Sequence, residues 1–433
     1  MIWNPEYECM DREALLALQL RRLQTTVAWV YERVPYYRDR LDVAGLRPRD
    51  IRTLDDLRRL PFTDKTALRD TYPFGMFAVE LDSVVRIHSS SGTTGKPIVV
   101  GYTKGDLSTW TECTARVAAA AGITSTDRVQ MAFLYGMFTG GWGMHYGIER
   151  IGATVIPAGS GNTERHLMMM QDFGTTALVS TPSYALYLAE VGEKMGVDFS
   201  TLPLRVGLFG GEPSGESMRA EIERRLGIRA TDNYGLSEVM GPGVSGECEC
   251  QCGLHVAEDH FICEIVDPVS GEVLPPGQEG ELVVTTITKE AFPVLRYRTH
   301  DLTVLDTEPC ACGRTLTRMR KVRHRTDDML IIRGVNVYPS QVEDVLLKIE
   351  GIEPHYLMVV ERASGMDRLE IKIEVAEQIF SDIMADMVAF TGRVSDRLDS
   401  VLGLSAKVTL VEPGTIERSV GKARHVDDRR TME

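Results

Sequence analysis

The 433-residue sequence contains no apolar run long enough to cross a membrane. A membrane-spanning helix needs about 20 consecutive apolar residues, and no stretch of this chain reaches that length. Residues 1–14 also lack the basic segment followed by an apolar segment that marks a secretory signal. We therefore expect a cytoplasmic protein that has no membrane partner.

An excess of positive charge is absent as well. Lys and Arg together number 48 and Asp and Glu number 62, which gives a formal net charge of −14. Proteins that bind nucleic acid through its phosphates need a basic surface, so we do not expect nucleic acid as a partner. Small anionic ligands stay open, because helix ends and loops bind anions locally against the net charge.

Cysteine is scarce over most of the chain and concentrated in one part of it. Six of the eight cysteines lie between residues 248 and 312. In a reducing compartment this clustering favours a metal site over disulfides. Two close groups brought together from separate strands suit a tetrahedral Zn²⁺, and free thiols in a small core are the alternative. The candidate ligands are Cys248, Cys250, Cys252, His255, Cys310 and Cys312.

Short apolar segments alternate with helical patterns through the middle of the chain. The strand-like segments end in small or polar residues and are VVRIHS (84–89), VQMAFLY (129–135), ATVIPAG (153–159), TALVST (176–181), LRVGLFGG (204–211) and IRATDNYG (228–235). Helical patterns lie between them at 164–174, 184–196 and 214–227. This alternation is typical of a mostly parallel sheet, whose ligands bind at the carboxyl ends of the strands.

The segments before and after this region have a different pattern. Near the N terminus, apolar residues from Leu16 to Val34 recur at helical spacing, and Asp11 is a candidate N-cap. Residues 245–325 carry the clustered cysteines and a hairpin signal around residues 271–286. We expect a β-rich, cysteine-containing subdomain there.

The last hundred residues predict a smaller α+β unit. Its first helix is expected to begin with a capping box formed by Ser340 and Glu343. Two strands around a Ser-Gly turn, a helix ending near Leu402 and a final strand are expected to follow. We therefore predict an α/β protein with an N-terminal domain (1–326) and a mobile C-terminal domain (327–433).

Residues 88–103, HSSSGTTGKPIVVGYT, combine small hydroxylated residues, glycines and one lysine. A Walker motif needs four residues between its glycines and Ser or Thr after its lysine. Here two residues separate Gly92 from Gly95, and Pro97 follows Lys96. The backbone N–H groups, hydroxyls and ammonium group nevertheless suit the triphosphate of ATP. A surface turn explains the same composition equally well.

Later segments decide between these two interpretations. Five motifs follow the loop in order, GGEP (210–213), DNYGLSE (232–238), RYRTHD (296–301), RTDDMLIIRG (325–334) and VGKAR (420–424). The loop and these motifs resemble those of the adenylate-forming superfamily. Within it, the whole chain resembles the phenylacetate–CoA ligase family, through VPYYRDRLD, LPFTDK, YPFGMF, YGMFTGGWGMHYG, GLSEVMGPGV and LIIRGVNVYPSQ.

The resemblance implies a fold, a reaction and a set of cofactors. The fold is that of adenylate-forming enzymes, with a large N-terminal domain and a small mobile C-terminal domain. The reaction joins an aryl acid, phenylacetate first among them, to coenzyme A (CoA) through an acyl-adenylate, and it releases AMP and pyrophosphate. ATP, CoA and Mg²⁺ are therefore expected. Homodimers are common among similar enzymes, and this oligomeric state stays open.

The resemblance also implies a role for each motif residue. The nucleotide-binding residues would be Ser90, Ser91, Gly92, Thr93, Thr94, Gly95, Lys96, Gly211, Glu212, Pro213, Asp232, Asn233, Tyr234, Gly235, Ser237, Asp301 and Arg325. Glu238 would hold Mg²⁺ and Asp327 would be the hinge. Lys422 would enter the site during adenylation and act there with Lys96 and Glu238. Without the resemblance, Lys422 would be read as a solvated surface lysine.

The assignments of the acyl pocket and of the zinc ligands rest on the same resemblance. Tyr135, Phe138 and Trp142, with Gly211, would form the pocket, since aromatic walls and glycine gaps suit a flat ring; an ordinary apolar core is the alternative. The resemblance favours a structural Zn²⁺ on one set of four ligands with two alternatives. The favoured set is Cys248, His255, Cys310 and Cys312, and the alternatives are Cys250 and Cys252.

Three other functions remain open at the level of sequence. The acid could be benzoate, hydroxyphenylacetate, indoleacetate or an aminobenzoate. The acyl group could pass from the adenylate to a different acceptor. The chain could also be a zinc-containing module without catalysis, although the joint presence of Lys96, Glu238, Asp301 and Lys422 argues against that function.

Overall fold

The computed structural model of the chain describes residues 1–90, 97–322, 324–326, 328–333, 335–363, 366–376, 384–417 and 425–430. These residues form eleven α-helices, which are α1 (Pro5–Glu8), α2 (Arg12–Arg33), α3 (Pro35–Val43), α4 (Lys65–Asp70), α5 (Lys104–Ala120), α6 (Thr139–Ile151), α7 (Thr163–Asp172), α8 (Pro182–Lys194), α9 (Glu216–Leu226), α10 (Pro339–Leu346) and α11 (Met384–Leu402). Within the same described ranges, no helix has the length and apolar character needed to span a bilayer.

The same part of the chain forms twenty β-strands. They are β1 (Arg86–Ser89), β2 (Val99–Tyr102), β3 (Arg128–Met131), β4 (Thr154–Ile156), β5 (Ala177–Ser180), β6 (Val206–Gly210), β7 (Arg229–Leu236), β8 (Gly241–Glu247), β9 (Leu254–Val256), β10 (Phe261–Val266), β11 (Glu279–Thr286), β12 (Tyr297–Asp306), β13 (Arg318–Met319), β14 (His324–Arg325), β15 (Leu330–Ile332), β16 (Val335–Val337), β17 (Ile352–Ala363), β18 (Met366–Val375), β19 (Lys407–Val411) and β20 (Val426–Asp428).

A twelve-stranded sheet runs through the larger part of the molecule. One half is parallel, in the order β4-β3-β5-β6-β7. Helices α6, α7, α8 and α9 connect its successive strands, as the alternating sequence pattern predicted. The strand predicted at residues 84–89 is an exception. It forms β1, which pairs antiparallel with β2 in a separate two-stranded sheet.

The other half of the large sheet is antiparallel. Strand β7 pairs with β8, and the order continues β9-β13-β12-β11-β10, with β14 paired to β12. Of the hairpin predicted at residues 271–286, the second strand is β11, but its partner is β10, which precedes that range; the two pair from Phe261 opposite Thr286 to Val266 opposite Glu281. The change from parallel to antiparallel pairing therefore occurs at β7, next to the DNYGLSE motif.

The N-terminal helix has the predicted start, and it buries most of the predicted apolar pattern. The Asp11 side chain accepts hydrogen bonds from the backbone N–H groups of Glu13 and Ala14, which confirms it as the N-cap. The helix buries Leu15, Leu23, Val27 and Val30, together with Gln19, whereas Leu16 is exposed. Leu16, the first residue of the predicted helical pattern, therefore lies on the exposed face, and Leu15 lies on the buried one.

Helices α5 and α6 approach each other closely at two glycines. A Cβ atom on Gly143 would lie 2.5 Å from Cζ2 of Trp110, and one on Gly147 would collide with Thr114. Trp110 is buried between the helices, where its Nε1 donates to the carbonyl of Pro242. This contact fixes the N-terminal end of α6 against the turn between β7 and β8.

The C-terminal residues form a core of their own. A four-stranded sheet, β19-β18-β17-β20, packs with α10 and α11 around Ile332, Val337, Met358, Ile371 and Val394. Together with the larger sheet this gives the predicted architecture of a large N-terminal and a small C-terminal domain. The predicted elements of this part are also found, as β17, β18, α11 and β19.

The predicted capping box of α10 is wrong. The helix begins one residue earlier, at Pro339, and the Gln341 Oε1 atom accepts from the backbone N–H of Tyr338. The Ser340 hydroxyl lies 2.5 Å from Nδ1 of His324 instead. Proline at the first helical position has no N–H group that needs a partner, which explains the earlier start.

Candidate active site

Two of the predicted nucleotide motifs, GGEP and DNYGLSE, lie at the carboxyl ends of parallel strands. Strand β6 ends at Gly210, and Gly211 follows with φ +87°, a left-handed conformation that favours glycine. The next strand, β7, carries Tyr234 and turns into β8. A Cβ atom on Gly235 would collide with the carbonyl of Gly241, so this turn requires a glycine. The turn holds Ser237 and Glu238 beside Tyr234.

Asp301 is buried and held from two sides. The Tyr234 hydroxyl donates to Asp301 Oδ2 at 2.5 Å, and Arg325 Nη1 donates to Asp301 Oδ1 at 2.7 Å. Asp301 lies directly opposite Arg325 in the pairing of β12 with β14. Burial, and then the Asp301 charge, raises the pKa of Tyr234 well above its usual value. The Tyr234 hydroxyl therefore stays protonated and acts as a donor.

Ser237 and Glu238 extend the site towards α6. The Ser237 hydroxyl lies 3.1 Å from the hydroxyl of Thr139, the first residue of α6. Glu238 is 8 % exposed. Within the part of the chain that the structure describes, its carboxylate has no hydrogen bond or ion pair with another side chain. A carboxylate in that position can take a hard cation.

Three other predicted nucleotide residues have structural contacts of their own. Glu212 Oε1 accepts from the backbone N–H of Ser183, near the start of α8, at 2.7 Å. Asn233 Nδ2 donates to the carbonyl of Phe209 at 3.2 Å. Burial raises the pKa of Asp232 to about 7. These contacts stabilise the ends of β6 and β7, which line the site.

Several predicted residues lie outside the described residues. They are Ser91, Gly92, Thr93, Thr94, Gly95, Lys96, Asp327 and Lys422. Of the predicted nucleotide-binding residues Ser90 to Lys96, Ser90 lies within the described part of the chain. Its Oγ accepts from the backbone N–H of Ile98 at 3.0 Å. The roles of all these residues stay predictions.

An aromatic group lies at the N-terminal end of α6. The rings of Tyr135 and Trp142 meet edge to face with centroids 5.1 Å apart, and the Tyr135 hydroxyl lies 3.0 Å from Nδ1 of His145. Phe138 immediately precedes the helix and is 39 % exposed. A flat ring can enter between walls of this kind. Of the aromatic residues predicted for the acyl pocket, the structure thus brings Tyr135 and Trp142 into contact, and Phe138 lies exposed at the start of the same helix.

Two neighbours of this group were missed by the sequence analysis. His88 Nδ1 donates to the carbonyl of Met137, which also accepts from the backbone N–H of Ser89. Arg86 lies over the rings of Trp142 and Tyr146, 5.6 and 4.8 Å from their centroids. His88 and Arg86 come from β1, about fifty residues away in sequence, and no local pattern indicates the contact. Strand β1 therefore connects the hydroxyl-rich loop to the aromatic group.

The favoured metal ligands converge on one point. One ligand atom from each of Cys248, His255, Cys310 and Cys312 lies within 4.8 Å of the others. The Sγ atoms of Cys248 and Cys310 are 3.7 Å apart, and Cys312 Sγ is 3.4 Å from His255 Nε2. Thiolates about 2.3 Å from a tetrahedral Zn²⁺ would be about 3.8 Å apart. The residues present therefore fit such an ion.

Of the two alternative ligands, only Cys252 is near this group. Its Sγ lies 3.4 Å from Sγ of Cys310. Cys250 is exposed and is not part of the four-residue group.

Comparison with known proteins decides the family. The profile of AMP-binding enzymes matches residues 44–288, and the profile of the C-terminal domain of AMP-binding enzymes matches residues 334–430. A phenylacetate-coenzyme A ligase of Thermus thermophilus is 51% identical, over 99% of this chain and 100% of that protein. The chain belongs to the phenylacetate–CoA ligase family. As a member of this family of AMP-binding enzymes it is an acid–thiol ligase, and ATP and CoA are substrates of such ligases.

Solved structures of 2-hydroxyisobutyryl-CoA ligase share the fold of this phenylacetate–CoA ligase family member. In the postadenylation state with 2-HIB-AMP, that protein is 30% identical and superposes with a TM-score of 0.93. In the thioesterification state with 2-HIB-AMP and CoA, the identity is 31% and the TM-score 0.73. Each alignment covers 99% of this chain and 92% of the other. The overall arrangement described here is thus closer to the postadenylation state.

Proposed function

We propose that this chain activates phenylacetate with ATP and transfers the phenylacetyl group to CoA. The observation that carries the proposal is the buried Asp301, held by Tyr234 and Arg325 at the end of the parallel sheet. The family membership and the 51% identical relative support the same reaction. The carboxylate of the acid attacks the α-phosphorus of ATP and pyrophosphate leaves. The CoA thiolate then attacks the acyl carbonyl and AMP leaves.

The clamp on Asp301 gives the nucleotide a fixed binding site. A carboxylate accepts about four hydrogen bonds in total, so Asp301 can receive the ribose hydroxyls beside its protein donors. The ring of Tyr234 and the backbone of Gly211, Glu212 and Pro213 would lie on either side of the adenine. Because Tyr234 both holds Asp301 and faces the base, one residue orients the ribose and the base together. Fixed donors and acceptors of this kind lower the cost of aligning the two anionic reactants.

Charge stabilisation in the first step falls to four residues. Lys96, in the loop of Ser90–Lys96, would face the phosphates. Lys422 would contact the developing charge on the carboxylate and the α-phosphate, with Ser237 at the α-phosphate as well. Glu238 would hold Mg²⁺, which screens the phosphate charge when it is bound. Such preorganised charges are usually the largest contribution to catalysis of this type.

The aromatic group at α6 supports an aryl acid as the substrate. Tyr135, Phe138 and Trp142 would surround the ring, and Gly211 would leave room for the carboxylate next to the α-phosphate. A Cβ atom on Gly211 would have no neighbour closer than 3.6 Å, so the backbone there is approachable. Phenylacetate is the acid that fits both this group and the family.

A panel of acids tests the proposal. Purified enzyme is assayed for pyrophosphate and for the CoA thioester, with and without CoA, on phenylacetate, benzoate, hydroxyphenylacetate, indoleacetate and an aminobenzoate. We expect phenylacetate to give the highest kcat/KM and to form the thioester. If another acid has a higher kcat/KM, that acid is the substrate. If pyrophosphate is released but no CoA thioester forms, the acyl acceptor is a different molecule. Release of no pyrophosphate with any acid refutes the proposal.

We also propose a structural Zn²⁺ on Cys248, His255, Cys310 and Cys312. The ion would join the end of β8 and the start of β9 to the segment between β12 and β13. Metal analysis of the purified protein is expected to find about one zinc per chain. Cys310→Ser should lose the zinc, whereas the matched variant Cys250→Ser should keep it. Much less than one zinc per chain in the wild-type protein would contradict this site.

The domain boundaries and the hinge complete the proposal. Residues 1–326 and 327–433 would move relative to each other about Asp327 between the two chemical steps. His355 Nε2 on β17 lies 3.1 Å from Glu190 Oε2 on α8, and such a rotation would break this contact. A homodimer and a cytoplasmic location are further proposals, which light scattering and cell fractionation would test.

A further inference from the structure

A fourth thiol, that of Cys252, lies against the three cysteines and one histidine of the proposed zinc site. The Sγ atom of Cys252 is 3.4 Å from Sγ of Cys310, closer than Sγ of Cys248 at 3.7 Å. Cys252 is exposed, whereas Cys248 and Cys310 are buried. A tetrahedral ion takes four ligands, and His255 and Cys312 supply the other two. Cys252 is therefore left over, accessible and in contact with a ligand.

The loop conformation holds Cys252 in this place. The backbone N–H of Gln251 donates to the carbonyl of Cys248 at 3.0 Å, and Gln251 has φ +51°. This tight turn reverses the chain, and Gly253, with φ +116°, continues it into β9. The guanidinium of Arg318 donates to the carbonyl of Cys252 at 2.7 Å. Two backbone reversals and a buried arginine therefore fix the position of this thiol.

We propose that Cys252 and Cys310 are a site of reversible oxidation, at which a disulfide forms and the zinc ion leaves. The inference rests on the zinc site proposed above. Hydrogen peroxide oxidises the Cys252 thiolate to a sulfenic acid, and the hydroxide that leaves takes up a proton to give water. The Cys310 sulfur then attacks the sulfenic sulfur, a second hydroxide leaves and takes up a proton, and the S–S bond forms. In total, two thiols and one molecule of hydrogen peroxide give one disulfide and two molecules of water.

Exposure and distance select this pair among the cysteines of the region. Cys250 is exposed but lies outside the cluster, and Cys248 is in the cluster but buried at 1 % exposure. A disulfide needs its sulfurs about 2 Å apart, and among the exposed cysteines of the region Cys252 starts closest to that distance, with its Sγ 3.4 Å from Sγ of Cys310. Once Cys310 is in the disulfide, the ion keeps three protein ligands. A dithiol reductant breaks the disulfide and restores the fourth ligand.

Two readouts that do not depend on catalysis test the inference. Zinc-loaded enzyme is treated with hydrogen peroxide, and released zinc is followed with a chromogenic chelator. Peptide mass mapping after alkylation identifies the disulfide. We expect one zinc released for each Cys252–Cys310 disulfide formed, with both changes reversed by dithiothreitol and added zinc.

Two matched variants sharpen the result. Cys252→Ser removes the accessible thiol and should slow zinc release about tenfold, since the buried thiolates react slowly. Cys250→Ser changes a neighbouring exposed thiol and should release zinc as the wild-type enzyme does. Peptide mapping of the wild-type protein needs no variant, so a misfolded variant leaves the test intact.

The outcomes separate this inference from the zinc proposal. A disulfide between another pair, or equal release rates from wild type and Cys252→Ser, overturns the inference. Protein that never contains zinc but still forms the Cys252–Cys310 disulfide refutes the zinc site and leaves the oxidation site standing. Protein that binds zinc and forms no disulfide refutes the oxidation site alone.

Discussion

Removing the Tyr234 hydroxyl measures what the Asp301 clamp contributes to ATP binding. In Tyr234→Phe the ring that would face adenine remains, and the hydrogen bond of 2.5 Å to Asp301 is lost. A hydrogen bond to a charged group contributes about 1.5–3 kcal/mol, which corresponds to roughly 10- to 150-fold in a binding constant. Because Arg325 still holds the other oxygen at 2.7 Å, we expect the lower end, about a tenfold higher KM for ATP.

Tyr135→Phe is the matched control, since it removes a hydroxyl from the proposed acyl pocket. The Tyr135 hydroxyl lies 3.0 Å from Nδ1 of His145, and a neutral bond of this kind contributes about 0.5–1.5 kcal/mol. We expect a several-fold higher KM for phenylacetate and an unchanged KM for ATP. Initial rates of pyrophosphate release, measured against each substrate in turn, give both constants. An unchanged KM for ATP in Tyr234→Phe, or the same pattern in both variants, would refute the reasoning.

Three further variants test the proposed catalytic lysine, the proposed Mg²⁺ ligand and the buried carboxyl group of Glu343. Lys422→Ala should abolish ATP–pyrophosphate exchange and keep most CoA transfer from preformed phenylacetyl adenylate; normal exchange would defeat its assignment. Glu238→Gln should raise the Mg²⁺ concentration for half-maximal rate about tenfold, which a magnesium titration checks; an unchanged requirement would rule Glu238 out. Burial, and then the charges of Glu212 and Asp344, raises the pKa of Glu343 from 4.5 to about 8. The folded state then holds the proton more tightly, so the free energy of unfolding falls as pH rises from about 4.5 to 8. Urea unfolding at pH 5.5 and 8.5 should show a smaller fall in Glu343→Gln, and an equal fall would count against this coupling.

The sequence predicted the elements well where local pattern determines them. Strands β3 to β7 and helices α7 to α9 follow from alternating apolar segments, and Asp11 caps α2 as its side chain chemistry indicates. The sequence pattern gave the wrong strand partner where a tertiary contact determines the pairing. The apolar segment at β1 looks like a strand of the parallel sheet, but its partner is β2, across the hydroxyl-rich loop.

The predictions about the site follow the same division between sequence pattern and tertiary contact. Motif order placed Tyr234, Asp301 and Arg325 in one nucleotide site, and the structure brings them into contact. That Tyr234 donates to Asp301 could not be predicted, because 67 residues separate them in sequence and three strands, β8, β9 and β13, lie between β7 and β12 in the sheet. Cys252 illustrates the same limit, since the spacing of the cysteines could not tell a ligand from a thiol beside a ligand.

The cluster of cysteine and histidine side chains was predictable in its members but not in its geometry. Resemblance selected Cys248, His255, Cys310 and Cys312 out of six candidates, and these four are the ones that converge. Their convergence depends on β9 pairing with both β8 and β13, a pairing that joins segments about sixty residues apart. No local pattern carries that information.

A single-turnover experiment tests the central claim most directly. Enzyme in excess over ATP is mixed with phenylacetate in the absence of CoA, and the products are quantified before and after CoA is added. The account predicts one pyrophosphate and one enzyme-bound phenylacetyl adenylate per ATP, followed by one AMP and one phenylacetyl-CoA. Formation of ADP and phosphate, or release of pyrophosphate only after CoA is added, would contradict it.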